Sequence, residues 1–199
     1  MRILAVGGEG TVGKAAISDL RQRHEIVTAG RNSGTITVDV MDEASVEAMF
    51  KTAGPVDAVV VTTGHGHFGP VAEMTPQHFR KGVDDKLMGQ INVALISLRY
   101  LKDGGSITLT SGVTNRDFIR KGANAASMNG ALDDFVRGAS IEMPRGLRIN
   151  VVSPGLLEES AKKYDGFFPG HQPVTAERVG LAFTKCVEGG INGQVVAVD

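Results

Sequence analysis

A short apolar run at residues 3–6, Ile-Leu-Ala-Val, leads directly into a turn with glycine at positions 7, 10 and 13. Glycines let the backbone turn tightly and approach a phosphate group closely. A helix that starts in such a turn adds free N–H groups and the positive end of its dipole, and both favour a bound phosphate. The turn therefore predicts a nucleotide-phosphate site. The alternative interpretation is ordinary packing of a helix against a strand.

The rest of the chain supplies the elements that such a site needs, because strand-like apolar runs alternate with amphipathic helical patterns. Runs that are apolar on both faces, such as residues 58–61, are typical of parallel strands covered by helices on both sides. We therefore expect a single α/β domain over residues 1–199, a doubly wound parallel sheet of about seven strands. The predicted strands are 2–7, 25–29, 35–39, 57–62, 105–110, 147–153 and 194–198, and the predicted helices are 11–23, 43–53, 76–101, 123–142 and 175–188.

One long irregular segment, residues 156–174, interrupts the alternation. Long loops in compact domains usually cover or bind a ligand, so this segment is predicted to be a lid or substrate loop. Its aromatic residues, Tyr164, Phe167 and Phe168, indicate a small ligand with an apolar body. The neighbouring Lys162 and Lys163 suggest an anionic group on that ligand.

Composition argues against several other classes of protein. A chain of 199 residues suffices for one α/β domain with a core but hardly for two. The formal net charge of -1, without a basic stripe, argues against nucleic acid as a partner. A single cysteine, Cys186, allows no intrachain disulfide and fits a reducing cytoplasm. No apolar stretch approaches the roughly 20 residues of a membrane span, and none resembles a signal peptide, so we expect no membrane partner.

Five segments follow one another in an order that is specific enough to identify a family. They are the glycine turn at 7–13, Asp39-Val40, residues 68–75 (FGPVAEMT), residues 105–107 (GSI) and residues 148–155 (RINVVSPG). Together they cover essentially the whole chain, and residues 193–199 resemble the final strand of the same family. The chain resembles the short-chain dehydrogenase/reductase superfamily, which implies a Rossmann fold, an NAD(P) cofactor and oxidoreductase chemistry.

The resemblance also implies a cofactor preference. In such folds an acidic residue that closes the second strand binds the ribose 2′-hydroxyl of NAD, whereas an arginine accommodates the 2′-phosphate of NADP. Gly30 stands in the acidic position and Arg31 follows it. NADP(H) is therefore predicted in preference to NAD(H), unless Arg31 is only a solvated loop cation. The predicted cofactor-binding residues are Gly7, Gly10, Thr11, Val12, Gly13, Arg31, Asn32, Ser33, Asp39, Val40, Thr62, Thr63, Gly64, Pro154 and Gly155.

The catalytic positions depart from the family pattern. In the family a tyrosine exchanges a proton with the substrate oxygen, a lysine four residues later lowers the pKa of that tyrosine, and a serine orients the carbonyl. Here the tyrosine and lysine positions fall on Ala125 and Asn129, and the serine position falls on Gly112, next to Ser111. An asparagine that assists the proton relay maps to Lys86. The resemblance thus predicts an atypical active site.

Other residues stand where they can replace these groups, because they follow strands four and five or lie on the lid. Lys86 is preferred, since desolvation lowers the pKa of an amine and an ammonium polarises a carbonyl. Its alternatives are an ion pair with Asp84 or Asp85 and a purely structural role. Tyr164 on the lid has packing or anion binding as its alternative. The predicted catalytic residues are Lys86, Ser111, Asn129 and Tyr164.

His65 and His67 form a His-x-His pair, but no carboxylate or cysteine ligand lies near them in the sequence. Polar lining of the site is therefore predicted, and no metal.

Three functions remain open at this stage. The first is an NADP(H)-dependent oxidoreductase with a rearranged active site, acting on a small carbonyl compound or alcohol. The second is a catalytically silent NADP(H)-binding sensor or regulatory protein. The third is a non-redox protein that uses the cleft for another ligand.

The helix predicted at 123–142 is apolar over a wide part of its circumference, with Met128, Leu132 and Phe135 on one stripe. The family resemblance implies that this helix and the preceding long one pair across a two-fold axis. We therefore expect a homodimer or homotetramer, unless the apolar surface packs within the monomer.

Overall fold

The computed structural model describes residues 1–199. The strands are β1 (Arg2–Val6), β2 (Glu25–Gly30), β3 (Ile36–Thr37), β4 (Val56–Val61), β5 (Leu101–Thr110), β6 (Arg148–Pro154) and β7 (Val195–Val198). The helices are α1 (Thr11–Ser18), α2 (Glu43–Ala53), α3 (Pro76–Gly82), α4 (Gly89–Ser97), α5 (Ala123–Ser140), α6 (Glu158–Ala161) and α7 (Ala176–Glu188).

All seven strands are parallel and form one sheet in the order β3-β2-β1-β4-β5-β6-β7. The chain builds outward from β1 to β3 on one side and then crosses over to β4 on the other side of β1. Ligands of open α/β sheets bind outside the carboxyl ends of the strands at such a reversal. The predicted doubly wound α/β fold is confirmed, and it fixes where a ligand cleft must lie.

Two apolar layers cover the sheet. Alternate residues of β1 face opposite sides, so that Leu4 joins the layer formed with α2, α4 and α5, and Ile3 joins the layer formed with α1 and α7. The larger layer includes Phe50, and the smaller one includes the fully buried Cys186. Burial raises the pKa of the Cys186 thiol to about 12. The sheet is thus a rigid platform whose carboxyl edge carries the loops.

The predicted helix 76–101 is wrong in its continuity. A π-helical segment, Val83–Met88, separates α3 from α4, and the N–H of Gly89 donates to the carbonyl oxygen of Asp84, five residues earlier. Local π turns in helices often occur at functional sites. The helix ends at Ser97, and residue 101, which was predicted to be helical, pairs with Val56 at the start of β5.

Three smaller differences concern the length of one strand, the length of one helix and the structure within the predicted lid. The predicted strand 35–39 is reduced to Ile36–Thr37. The predicted helix 11–23 ends at Ser18, and a short 3-10 turn, Leu20–Gln22, follows it. The predicted lid at 156–174 contains the short helix α6, and a bridge between Leu157 and Val174 joins its two ends. None of the helices is long and apolar enough to cross a bilayer.

Candidate active site

A cleft of about 630 Å³ lies at the carboxyl ends of β1, β4 and β5, within the roughly 300–1,000 Å³ of typical ligand sites. All four predicted catalytic residues line it, and so do most of the predicted cofactor-binding residues. The latter are Gly7, Gly10, Thr11, Val12, Arg31, Asn32, Ser33, Val40, Thr62, Thr63, Gly64, Pro154 and Gly155.

The glycine turn forms one end of the cleft. Helix α1 begins at Thr11, and its N-cap residue, Gly10, offers no side chain that could cap the free N–H groups. No acidic residue occupies the first turn. Gly13 lies outside the cleft lining, where a Cβ atom would overlap with the carbonyl oxygen of Gly7, so Gly13 packs α1 against the turn. The free N–H groups and the dipole of α1 suit a phosphate group.

The loop after β2 forms the edge of the cleft and carries a cation. Arg31 is exposed, and its Nη2 donates to Asp39 Oδ1 at 3.3 Å. Asp39 lies outside the cleft lining, and its carboxylate also accepts from the N–H of Met41. The contact of Asp39 with an adenine amino group stays a prediction. No carboxylate stands at position 30, so the Asp39 carboxylate is the acid that the Arg31 guanidinium contacts.

Lys86, Ser111 and Asn129 line the same cleft. The Nζ of Lys86, on the π-helical segment, donates to the peptide oxygen of Ser111 at 3.0 Å. Asn129, on α5, donates from Nδ2 to Thr114 Oγ1 at 2.8 Å. The Oγ of Ser111 and the Oδ1 of Asn129 are buried and have no hydrogen-bond partner. An unpartnered buried polar atom costs roughly 1–3 kcal/mol, so these two atoms mark where a polar ligand group would be stabilised.

Burial lowers the pKa of Lys86 to about 8, and the carboxylates of Asp133 and Asp85 oppose this effect. Asp85 itself faces His65, whose Nδ1 lies 3.6 Å from Asp85 Oδ2. Lys86 forms no ion pair with Asp84 or Asp85, so its predicted alternative of an ion pair is wrong. Its ammonium is held by a neutral carbonyl oxygen and stays available to a ligand.

Asp133 is a residue that the sequence interpretation missed. It is buried on α5, one turn beyond Asn129, and its Oδ2 accepts from Asn115 Nδ2 at 2.7 Å while Oδ1 has no partner. A buried carboxylate holds a nearby lysine in its charged form. The i, i+4 spacing from Asn129 to Asp133 is the sequence signal that could have indicated a second polar residue on this helix face.

The two histidines of the loop after β4 occupy different places. His65 lines the cleft, whereas His67 lies outside it and stacks on His78 with ring centroids 4.8 Å apart. The N–H of His67 donates to Oδ1 of the buried Asn124 at 2.7 Å. No group of three or more histidine, cysteine, aspartate or glutamate side chains is arranged to hold a metal ion.

The segment predicted to be a lid, residues 156–174, contributes to the lining of the cleft. Tyr164 and Phe168 line the cleft together with Phe68, which comes from the loop after β4. Tyr164 packs 5.8 Å from Phe68, centroid to centroid, and Phe167 also packs 5.8 Å from Phe68. The structure therefore places Tyr164 in an aromatic cluster, and it makes no hydrogen bond with Lys86 or Ser111.

Comparison with known proteins identifies the family. A family model described as enoyl-(acyl carrier protein) reductase matches residues 11–181. The chain belongs to the short-chain dehydrogenase/reductase superfamily.

Named relatives of this short-chain dehydrogenase/reductase include fungal enzymes and solved structures. The short chain dehydrogenase claC of Passalora fulva is 31% identical over 137 residues, 66% of this chain and 51% of the relative. Versicolorin reductase stcU of Emericella nidulans is 31% identical over 140 residues, 67% of this chain and 53% of the relative. The chain spans about half the length of these curated relatives.

Two crystal structures match the whole chain. The protein lin1944 from Listeria innocua is 45% identical, with a TM-score of 0.98 and full coverage of both chains. A small-chain dehydrogenase in complex with NADPH is 26% identical, with a TM-score of 0.88, covering 100% of this chain and 96% of that one. The superfamily uses NAD(P), and its members are oxidoreductases.

The substitutions that the family resemblance implies at the catalytic positions stay predictions. Asn129, at the predicted lysine position, and Lys86, at the predicted asparagine position, both line the same cleft.

Proposed function

We propose that this chain is an NADP(H)-dependent oxidoreductase that interconverts a small carbonyl compound and its alcohol, with Lys86 as the proton-transfer group. The observation that carries the proposal is the half-buried ammonium of Lys86, which donates to the peptide oxygen of Ser111 in the same cleft as the unpartnered Oγ of Ser111 and Oδ1 of Asn129. An ammonium and a hydroxyl that both reach a carbonyl oxygen can stabilise the negative charge that develops on it during reduction.

The cofactor assignment rests on three features of the cleft. The uncapped start of α1 provides N–H groups for a pyrophosphate, and Arg31 provides a guanidinium that can bind a 2′-phosphate through two parallel hydrogen bonds. Gly30 contributes no carboxylate that would repel that phosphate. The NADPH-bound relative supports the same preference, and NAD(H) is the alternative that a binding measurement must exclude.

The chemistry divides between cofactor and chain. When bound, a nicotinamide cofactor supplies a hydride to the carbonyl carbon or accepts one from the alcohol. Lys86, with a pKa of about 8, is mostly protonated at neutral pH and delivers its proton to the substrate oxygen. The neutral amine that remains regains a proton from the water that enters the cleft. Gly112 has no side chain that could orient the substrate oxygen, and the hydroxyl of the neighbouring Ser111 does so.

A catalytically silent NADP(H)-binding protein is the second candidate. It is favoured by the absence of any hydroxyl at positions 112 and 125 and by the hydrogen bond that already engages Lys86 with Ser111. In that case Lys86 stabilises the loop after β5, and the cleft binds cofactor as a signal.

Steady-state oxidation of NADPH with a panel of aldehydes and ketones tests the proposal, together with calorimetric binding of NADPH and NADH. We expect turnover that Lys86→Met reduces at least 100-fold. Lys51→Met is the matched control, because Lys51 is exposed on α2 and far from the cleft. Cofactor binding without turnover would establish the silent candidate, and absence of both would indicate a non-redox use of the cleft.

A further inference from the structure

The aromatic residues of this chain are concentrated at the substrate end of the cleft. The chain has only eight phenylalanines and two tyrosines, and no tryptophan. Four of these ten rings form one cluster, to which Phe68 contributes from the loop after β4 and Tyr164, Phe167 and Phe168 contribute from the lid. Three of the four, Phe68, Tyr164 and Phe168, line the cleft.

The lid is fixed well enough to present these rings in a defined way. The N–H of Glu158 donates to Val174 O at 3.0 Å, and the N–H of Val174 donates to Leu156 O at 2.7 Å. Both ends of the lid are thereby fastened to each other, as in a closed loop. The three lid rings therefore lie on a loop whose two ends are held together by backbone hydrogen bonds without a ligand.

The rings meet mainly edge to face. The ring planes of Tyr164 and Phe168 are inclined by 82°, and those of Phe68 and Phe167 by 88°. All four rings are only half-buried, so the cluster is not a closed core. Rings arranged at steep angles leave faces and edges to which a further planar ring can pack with favourable quadrupole geometry.

Two lysines lie against rings of the cluster. Lys121 Nζ lies 5.8 Å from the centroid of Phe167, which does not line the cleft, and Lys163 Nζ, from a residue that does line it, lies 5.2 Å from that of Tyr164. Both contacts favour the observed placement of the rings. The apolar wall of Phe68, Tyr164 and Phe168 and the polar group of Lys86, Ser111 and Asn129 line one cleft.

We propose that the substrate is a planar aromatic carbonyl compound, whose ring packs against Phe68, Tyr164 and Phe168 while its oxygen reaches Lys86 and Ser111. This inference rests on the proposed function for the role of the oxygen, but the ring site is formed by the lid and the loop after β4 whatever the reaction. An aliphatic ketone of the same size fills the same volume but lacks the π-system that gains from an edge-to-face or offset contact.

The test compares acetophenone with cyclohexyl methyl ketone, which has the same skeleton without the aromatic ring. Their dissociation constants are measured by ligand-observed NMR in the presence of saturating NADP⁺, so that neither ketone is reduced during the measurement. Aromatic contacts of this kind predict two- to tenfold tighter binding of acetophenone. Phe168→Leu should remove this preference and leave binding of the cyclohexyl compound within twofold.

Phe118→Leu is the matched control, because Phe118 is 76% exposed and lies outside the cleft lining. It should leave both dissociation constants unchanged. Equal binding of the two ketones, or equal effects of Phe168→Leu and Phe118→Leu, would overturn the inference, and so would absence of any binding at millimolar concentration.

A second readout separates this inference from the proposed function. The same two ketones are then offered with NADPH, and cofactor oxidation is followed by absorbance. Selective binding of acetophenone without oxidation would support the ring site and contradict the oxidoreductase assignment. Oxidation of NADPH by both ketones without selective binding of acetophenone would support the oxidoreductase assignment and contradict the ring site.

Discussion

The Nζ atom of Lys86 and the peptide oxygen of Ser111 lie 3.0 Å apart. A lysine amine can donate this hydrogen bond in both of its protonation states, so the contact fixes where the amine points without fixing its charge. The charge depends on burial, which disfavours the ammonium, and on Asp133 and Asp85, which favour it. Position and protonation of Lys86 are thus controlled by different parts of the structure, and each can be altered separately.

The first prediction concerns the pH dependence of reduction. Because Lys86 must carry its proton, kcat/KM for carbonyl reduction should be constant at neutral pH and fall above a pH of about 8. Asp133→Asn removes a nearby negative charge, so the fall should move to lower pH. Asp134→Asn is the control, since Asp134 is exposed on the same helix and pairs with Arg137. A profile that stays flat beyond pH 9.5 would exclude Lys86 as the acid.

The second prediction concerns the stability of the folded chain. The pKa of Lys86 is lower in the folded protein than its usual value of 10.5, so the unfolded chain binds more protons between pH 8 and 10.5. Wild-type stability should therefore rise with pH across this interval. Lys86→Met removes the penalty and should stabilise the protein at pH 7 by at most about 3 kcal/mol, with a smaller gain as the pH rises. Urea unfolding at pH 7 and pH 10 measures both values, and a gain that grows with pH would contradict the assignment.

The third prediction concerns cofactor selectivity. Arg31→Ala should weaken NADPH binding about 10- to 100-fold and leave NADH binding nearly unchanged, because only NADPH has a phosphate for the guanidinium. Introducing an aspartate at Gly30 is a less direct test, since a Cβ atom there would lie 2.7 Å from the carbonyl oxygen of Ser33. Arg137→Ala, another exposed arginine paired with one carboxylate, is the control in calorimetric titrations. Equal affinity of the wild type for both cofactors would show that Arg31 does not select.

The fourth prediction concerns restoration of the family's standard residues. The triple variant Gly112→Ser, Ala125→Tyr, Asn129→Lys should not gain a large reductase activity. A Cβ atom at Gly66 would lie 3.1 Å from Ala125 Cβ, so the loop after β4 covers the space that a tyrosine ring needs. A lysine at position 129 would also add a second ammonium near Lys86. NADPH oxidation with activated ketones checks the outcome, and a gain above 100-fold would mean that the scaffold had lost only its side chains.

The fifth prediction concerns self-association, which follows from the family resemblance. An apolar groove lies between α4 and α5, and its lining includes Leu95, Leu98, Phe135 and Met143. We expect a dimer through this groove, measured as twice the chain mass by light scattering at micromolar concentration. Leu95→Lys should convert it to a monomer, whereas Leu181→Lys on α7 should not, although both leucines are about half exposed. A wild-type monomer would contradict the prediction.

The sequence predicted those features that depend on neighbouring residues. The glycine turn and the strands are readable because each is defined by local spacing. The interruption of the long helix by a π-helical segment was not predicted, since the apolar periodicity continues through Val83–Met88. Local composition does not indicate the five-residue hydrogen-bond spacing of this segment.

The remaining gaps concern contacts between distant segments. Asn124 is fully buried and links the N–H of His67 to the carbonyl oxygen of Phe79, 45 residues earlier in the chain. The contact between Phe68 and Tyr164 likewise joins two loops that are far apart in the sequence. Such pairings depend on how loops fold over the sheet, and a single sequence without related sequences gives no measure of them.

The buried Cys186 makes the chain well suited to site-specific labelling. A thiol that is fully enclosed by apolar neighbours, with a pKa near 12, forms almost no thiolate at neutral pH and reacts slowly with maleimides. A cysteine introduced at an exposed lid position such as Asp165 would then be the one reactive thiol in the native protein. A fluorophore attached there would report movements of the lid without any need to remove the natural cysteine.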